Sequence, residues 1–544
     1  MSGQAWAVRS AEALMGALIE AGVRDLVLSP GSRSAPLVYA AEAARQRGDL
    51  RVWVRLDERC AGFMALGLSL ADPAHPAAVA TTSGTAAANL YPAVVEASYA
   101  GVPLLVLTAD RPAELHGVGA NQTIEQRGMF ASAPRASLTC EAADGAASLP
   151  MWRAAGFTGV RAAHGRWAAW PGPVHLNLRF RDPLTPGDLD DEGVQVPRGP
   201  RGGEGALAAG EPAGRSEPTV DVGALALAQG PRSVVVAGAG AGAGAREFAE
   251  RAGWPLLAEP QSGSWAGPAA VPAYREVLAG HLGEAIQRVV VWGRPTLSRG
   301  ITRLVAEPDV EVIVVHPRGG PWFDPARRAR RIASRLALDS GPSSAQREWA
   351  AAWRAAGAAA WRTAWEAGGG PAAAHVVASS CVQRGAVLHV AASGAIRYLD
   401  LGPAPDAAPR VFASRGAAGI DGTLSTAAGI ARRSEGPVRV LIGDLAFLHD
   451  AAGLAAGEGE REPSMEVVVL NDHGGGIFKD LEHAQAAPPE VFSRYFLTPQ
   501  RTHVAALARA YGAHHEIAKT TAHLRRLLDR PTGRGTRVIE VPLA

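Results

Sequence analysis

VRVLIGDLAFLHDAAGLAAGEGEREPSMEVVVLNDHGGG, residues 438–476, holds two apolar runs that each end on an acid. The first, VRVLIGD, closes on Asp444, and the second, MEVVVLND, closes on Asn471 and Asp472. Short runs rich in β-branched residues, with no polar alternation, predict strands buried on both faces. Between them the Ala-rich stretch around Leu445–Gly457 predicts a helix. Asp444 and Asp472 are 28 positions apart, the length of one βαβ unit. Such a unit returns its second strand parallel to the first, most often beside it at roughly 4.8 Å. Both carboxylates then stand at strand carboxyl ends, where open α/β sheets bind ligands. Either aspartate alone reads as a turn residue. The pair, each after an apolar strand and before small residues, reads as ligands. Two carboxylates with a backbone carbonyl from the glycines at 474–476, Gly474 first, suit a hard cation such as Mg²⁺. A helix entering near Leu445 offers free N–H groups to a phosphate. Cation and helix entrance together describe a diphosphate site.

The same strand–helix alternation extends outward along the chain. Strand candidates are DLVLS (25–29), AAVATT (77–82), PLLVLTA (103–109), SVVVAG (233–238), RVVVWG (288–293), VEVIVVH (310–316) and AVLHVAAS (386–393). Continuous apolar strands separated by helices predict an α/β fold of three consecutive parallel-sheet domains, covered on both faces. Pro/Gly/charge-rich sequence at 184–218 and the shorter EAGGGPA at 366–372 read as breaks. The expected division is 1–185, a linker at 186–218, 219–345, an Ala/Trp-rich helical connector at 346–369, and 370–544. A chain of 544 residues exceeds one hydrophobic core, which agrees.

Composition narrows the function classes. A net charge of +2 argues against a nucleic-acid binder. Lysine occurs only at Lys479 and Lys519, so a lone arginine says little about anion binding in this Arg-rich chain. Cys60, Cys140 and Cys381 are scattered without metal-ligand spacing, as in a reducing, cytoplasmic setting. Met1–Leu18 lacks the pattern of a signal peptide, and no apolar stretch predicts a membrane span.

Three further stretches carry candidate chemistry. RVWVRLDERCAGFMALGLSLA (51–71) runs from a strand into a helix, with Asp57 near the N-cap and Glu58 at the helix start. Acids favour first turns for dipole reasons alone. SPGSRSAPL (29–37) places Ser32 and Arg33 at a Gly/Ser loop before a helix, an anion-friendly entrance. TTSGTAAANLYPAVVEA (81–97) repeats the pattern, and TADRPAELHGVGANQTIEQRGMF (108–130) carries Arg111, Asn121 and Gln122.

These segments together resemble a known family. Gly443-Asp444-Leu445 followed by Asn471-Asp472 resembles the thiamine-diphosphate signature, with GDL for GDG and ND for the usual Asn pair. SPGSRS, DER, the TSGT segment, LTADRP, GANQTI, SRGAAGIDGTLSTAAG (414–429) and NDHGGGIF (471–478) narrow it further. They resemble the 2-succinyl-5-enolpyruvyl-6-hydroxy-3-cyclohexene-1-carboxylate synthases. The resemblance covers the first and third blocks well and the middle one poorly. It implies a pyrimidine-binding first domain, a Rossmann-like middle domain and a diphosphate-binding third domain. It implies a carboligase using thiamine diphosphate and Mg²⁺, with Mn²⁺ possible, held by Asp444, Asp472 and Gly474. Glu58 would hydrogen-bond the aminopyrimidine N1′ and so activate the cofactor. Gly443, Leu445 and Ala446 would line the diphosphate, Ile420 would prop the cofactor, and Ile477 and Phe478 would wall it. The implied reaction is decarboxylation of 2-oxoglutarate and 1,4-addition of the succinyl carbanion to isochorismate, in menaquinone biosynthesis. Substrate contacts would come from Ser32, Arg33, Arg111, Asn121, Gln122, Arg299, Ser393, Arg397, Arg415, Phe478 and Leu481. His116 and His473 receive no proton-transfer role. The family's site lies between subunits, so a homodimer or homotetramer is implied.

Other readings stay open at this stage. The chain could be another thiamine-diphosphate 2-oxo acid decarboxylase or carboligase, acetohydroxyacid synthase-like. It could also keep the fold without the catalysis, against which Glu58, Asp444 and Asp472 stand together. In the middle block, Gly238-x-Gly240 with Ala243 and, about 20 residues on, Glu259 forms a degenerate dinucleotide motif. Its bland reading is a structural turn that binds no dinucleotide.

Overall fold

The computed structural model describes residues 6–166, 168, 170–186, 224–316, 320–531 and 533–543. The linker expected at 186–218 therefore lies, apart from Pro186, outside the described residues. The chain divides into two compact units, Met1–Ala65 with Asp72–Gly223, and Leu66–Ala71 with Ala224–Ala544.

The first unit is built on a six-stranded sheet. Its order is Arg51–Val54, Asp25–Leu28, Ala77–Thr81, Leu104–Asp110, Pro173–Arg179, Ala136–Cys140. All its pairings are parallel. Helices Trp6–Glu20 and Leu149–Ala163 bury Leu14, Leu18, Trp152 and Val160 in the same core as Leu105, Leu107 and Leu176 of the sheet.

The second unit carries three parallel sheets. The five-stranded one runs Ala329–Ala333, Glu311–Val315, Arg288–Trp292, Ser233–Ala237, Leu256–Ala258. Leu336–Leu338 and Leu225–Leu227 form a separate pair. The six-stranded sheet runs Val411–Ala413, Val387–Val390, Val438–Gly443, Met465–Asn471, Thr536–Pro542, His514–Ile517. The successive residues Val467, Val468 and Val469 are all fully buried, so both faces of this sheet are covered. Each such side chain contributes about 1.5–3 kcal/mol. That is why the apolar runs were legible as strands.

The expected connector is the helix Ser344–Ala367, opened by a Ser343–Gln346 capping box. Trp349 and Trp353 are buried with Val234, Val289 and Val314 of the five-stranded sheet, and Trp349 Nε1 donates to Ser233 O at 3.0 Å. The break expected at 366–372 is largely helical instead. Helix Gly369–Arg384 begins directly after Gly368, so only one residue interrupts the path. The alanines on both sides favour helix strongly enough to confine the effect of the glycines.

Candidate active site

The strands Val438–Gly443 and Met465–Asn471 lie side by side and parallel, with Gly443 opposite Leu470. Asp444 and Asp472 therefore leave the sheet at one edge. Their carboxyl groups are within hydrogen-bonding reach of each other, and both accept from the backbone N–H of Gly474. Burial and the charge of Asp472 raise the pKa of Asp444 to about 6. Burial also raises that of Asp472, which Lys479 partly offsets. Two half-buried acids held this close repel each other unless a proton or a cation sits between them. Gly476 leaves room for the Asp472 carboxyl, because a Cβ there would meet Asp472 Oδ2 at 1.8 Å. The helix that follows is short, Asp444–His449, and starts one residue before the expected Leu445. The Leu445 N–H is engaged by the Asp444 carboxylate.

A cavity of about 340 Å³ opens over this pair. Gly443, Leu445, Ala446 and Gly474 line it on the acidic side, and Ile420, Ile477 and Phe478 supply apolar wall. Ser393, Arg397 and Arg415 complete it. Twelve positions singled out in the sequence thus meet around one space, although they span residues 393–478. Leu481 and Arg299 do not line it. They border a neighbouring cavity of about 980 Å³ that also includes Arg397, Tyr398 and Ile477. Arg299 is largely exposed and pairs with Glu482 at 3.2 Å.

The arginines differ in their commitments. Arg415 donates Nε to Thr296 Oγ1 at 2.9 Å, Nη2 to Thr296 O at 2.8 Å and Nη1 to Ala392 O at 3.0 Å. It is 5% exposed, so much of its donor capacity braces the loop after Arg288–Trp292. Arg397 donates to Ser393 O at 2.9 Å. Burial and the charges of Arg415 and Arg275 lower its pKa, the mark of a cation held among cations.

The degenerate dinucleotide motif is closed by protein. A Cβ on Gly238 would meet Pro295 N at 2.0 Å, and Ala239 bridges Arg294. The glycine serves the approach of another loop. Glu259 points inward, accepting from Thr296 N at 2.5 Å, Leu297 N at 2.7 Å and Gln261 Nε2 at 2.6 Å. These bonds occupy the carboxylate that a ribose would need.

In the first unit, Glu58 opens the helix Glu58–Ala71, and Asp57 Oδ1 caps it by accepting from Cys60 N at 3.1 Å. Glu58 Oε2 accepts from Asn89 Nδ2 at 3.3 Å. Arg111 is buried and donates to Ser83 Oγ and, at 3.1 Å, to Gln122 O. Burial and the nearby charge of Arg33 lower its pKa. Arg33 itself donates to Phe180 O and Asp182 Oδ2, both at 3.0 Å. Gln122 Nε2 donates to Ser83 O at 2.8 Å. Ser32 and Asn121 are exposed. Sequence reasoning missed Asn89, Thr296 and Tyr398. Asn89 sits in the quoted TSGT segment, and Tyr398 follows Arg397 directly. Thr296 lies 119 positions from Arg415 and carries no local signal.

Among the described residues no helix is long and apolar enough to cross a membrane. No cluster of three or more His, Cys, Asp or Glu side chains suited to a metal occurs among them. A cation at Asp444 and Asp472 would need further oxygens from backbone or ligand.

Residues 8–129 match the thiamine pyrophosphate enzyme N-terminal TPP binding domain, and residues 402–541 match the C-terminal TPP binding domain. The chain is 48% identical to the 2-succinyl-5-enolpyruvyl-6-hydroxy-3-cyclohexene-1-carboxylate synthase of Kineococcus radiotolerans, over 98% of this chain and 95% of that one. It is 43% identical to the synthases of the same name from Leifsonia xyli and Renibacterium salmoninarum, again over 98% of this chain and 95% and 94% of theirs. With both thiamine pyrophosphate domains present and this identity sustained across nearly the full length, the chain belongs to the 2-succinyl-5-enolpyruvyl-6-hydroxy-3-cyclohexene-1-carboxylate synthase family of thiamine-diphosphate-dependent enzymes.

Proposed function

We propose that the chain is a transferase that decarboxylates 2-oxoglutarate and joins the remaining four-carbon unit to isochorismate by 1,4-addition. The product would be 2-succinyl-5-enolpyruvyl-6-hydroxy-3-cyclohexene-1-carboxylate, in menaquinone biosynthesis. The observation that carries the reading is the Asp444–Asp472 pair in one cavity with Arg397 and Arg415. The pair is an all-oxygen set whose charge Lys479 and the Gly474 N–H only partly offset, which fits residues that would hold Mg²⁺, or Mn²⁺, beside a diphosphate. Thiamine diphosphate, when bound, supplies the electron sink that decarboxylation of a 2-oxo acid requires.

The remaining roles belong to the chain's own residues. Asp444, Asp472 and the Gly474 backbone would hold the cation. Ile420, Ile477 and Phe478 would exclude water around the cofactor. Glu58 would hold its proton at the aminopyrimidine N1′, with Asn89 orienting the carboxylate. Both substrates are polyanions, so Arg397 and Arg415 would orient carboxylates in the cavity. Arg33, Arg111, Gln122, Ser32 and Asn121 would also contact substrate, as would Arg299, and Leu481 would wall the neighbouring cavity.

The proposal extends to organisation. Residues 1–185 would bind the pyrimidine and 370–544 the diphosphate, with 219–345 as a central Rossmann-like domain between the linker and the connector. The assembly would be a homodimer or homotetramer. The three cysteines are buried thiols outside any disulfide, which supports a cytoplasmic location.

Mass analysis of the product formed from 2-oxoglutarate and isochorismate, with thiamine diphosphate and Mg²⁺, tests the function. Release of a free aldehyde alone, or turnover of pyruvate with no use of isochorismate, would replace it with the acetohydroxyacid synthase-like alternative.

A further inference from the structure

The loop carrying Asp472 is held from the far end of the chain. Asn471, the last residue of its strand, donates Nδ2 to Glu540 Oε1 at 2.7 Å. Glu540 lies on the strand Thr536–Pro542, which pairs in register with Met465–Asn471. Its other oxygen, Oε2, lies 2.9 Å from His515 Nε2, on the edge strand His514–Ile517. The pair is well shielded, with side chains 7% exposed for His515 and 15% for Glu540. Because Glu540 takes the amide nitrogen, Asn471 Oδ1 faces the other way and accepts from His473 N at 3.0 Å. That bond turns the chain within two residues: His473 has φ 59° and Gly474 φ 149°. The turn carries Gly474 N to the Asp444 and Asp472 carboxyl groups.

We propose that Glu540 and His515 are positioning residues for the cofactor-binding loop, acting through Asn471 to set the turn that presents Asp472 and Gly474. The inference rests on the reading of Asp444 and Asp472 as cation ligands and adds residues that touch neither cation nor substrate. Glu540 and His473 N together fix the orientation of the Asn471 amide. His515 orients Glu540, so the three side chains form a relay across three neighbouring strands. A positively twisted turn at His473, a residue with a side chain, needs such an external hold. Partners one step removed from a metal ligand typically change metal affinity by 10 to 100-fold.

The test uses the full-length apoprotein and calorimetric titration of thiamine diphosphate at several Mg²⁺ concentrations. Glu540→Ala should raise the Mg²⁺ needed for half-saturation by roughly tenfold or more, while the apoprotein still melts cooperatively. Glu540→Gln keeps an oxygen for Asn471 Nδ2 and should stay close to wild type. An Ala variant that binds like wild type, or a Gln variant as weak as Ala, would overturn the relay. If Glu540→Ala does not fold, His515→Ala decides. It leaves the Asn471 bond in place and should raise the Mg²⁺ needed for half-saturation several-fold. Unchanged binding there overturns the inference. Wild-type protein that binds no thiamine diphosphate with Mg²⁺ would sink the cofactor reading and the relay together. Wild-type binding with unaffected variants sinks the relay alone.

Discussion

The sheet of the first unit and the six-stranded sheet of the second share one strand order. Numbered along their own stretches of chain, both run 2-1-3-4-6-5. In each, the third and fourth strands are neighbours. The residue just past the third strand is Thr82 in one and Asp444 in the other. Just past the fourth it is Arg111 in one and Asp472 in the other. One edge gathers a buried arginine with the charge of Arg33 close by, and the other gathers two carboxyls. Open α/β sheets bind ligands where their strands end, and the residues immediately beyond set the local charge there.

The comparison breaks most completely at its acidic end. Asp444→Ala should weaken thiamine diphosphate binding at limiting Mg²⁺ by more than roughly 100-fold, since even outer partners are worth 10 to 100-fold. Calorimetry with unchanged affinity would mean the two edges do not differ in this way. Next in size is Glu58→Gln. It should leave folding and cofactor affinity nearly intact while kcat falls more than tenfold, a barrier increase above ~1.4 kcal/mol. Retention of more than a tenth of the wild-type rate removes Glu58 from the chemistry.

The arginines sharpen the contrast further. Arg111→Ala and Arg415→Ala should each lower kcat/KM by roughly 1.5–3 kcal/mol, through the KM of one substrate, without altering cofactor affinity. Arg415→Ala should also lower the melting temperature, because Thr296 O and Ala392 O lose their donor. Kinetics varying 2-oxoglutarate and isochorismate separately would show wild-type constants if these side chains only brace loops.

The smallest effect concerns Glu259, whose pKa burial raises to about 7. The folded state then binds a proton that the unfolded chain has already lost between about pH 4.5 and 7. Its stabilising share is complete below pH 4.5 and disappears as pH rises through 7. The melting temperature of wild type relative to Glu259→Gln should therefore fall across that window. A pH-independent difference would contradict the assignment.

Local sequence revealed what local physics controls. Asp444 and Asp472 were legible because each follows a run of residues that can only be stable when buried. Strands such as His514–Ile517 and Pro173–Arg179 escaped notice. HHEI is polar at a sheet edge, and PVHLNLR interrupts its apolar run with His175 and Asn177. Both of those are buried and bonded to Thr108, at 2.8 Å and 3.0 Å. A buried polar side chain reads as exposed until its partner is known.

The sequence by itself determined the alternation of strand and helix, the paired aspartates at the right spacing, Glu58 at a helix start and the family. Apolar periodicity and short-range spacing are written within a few tens of residues. Tertiary structure alone decided the strand order and the closing of the Gly238 loop by Pro295. It also committed Arg415 to Thr296 and gave Glu540 its hold on Asn471. These pairings join residues 57, 119 and 69 positions apart. Hydrogen bonds of that kind depend on which strands become neighbours, and no local preference encodes it.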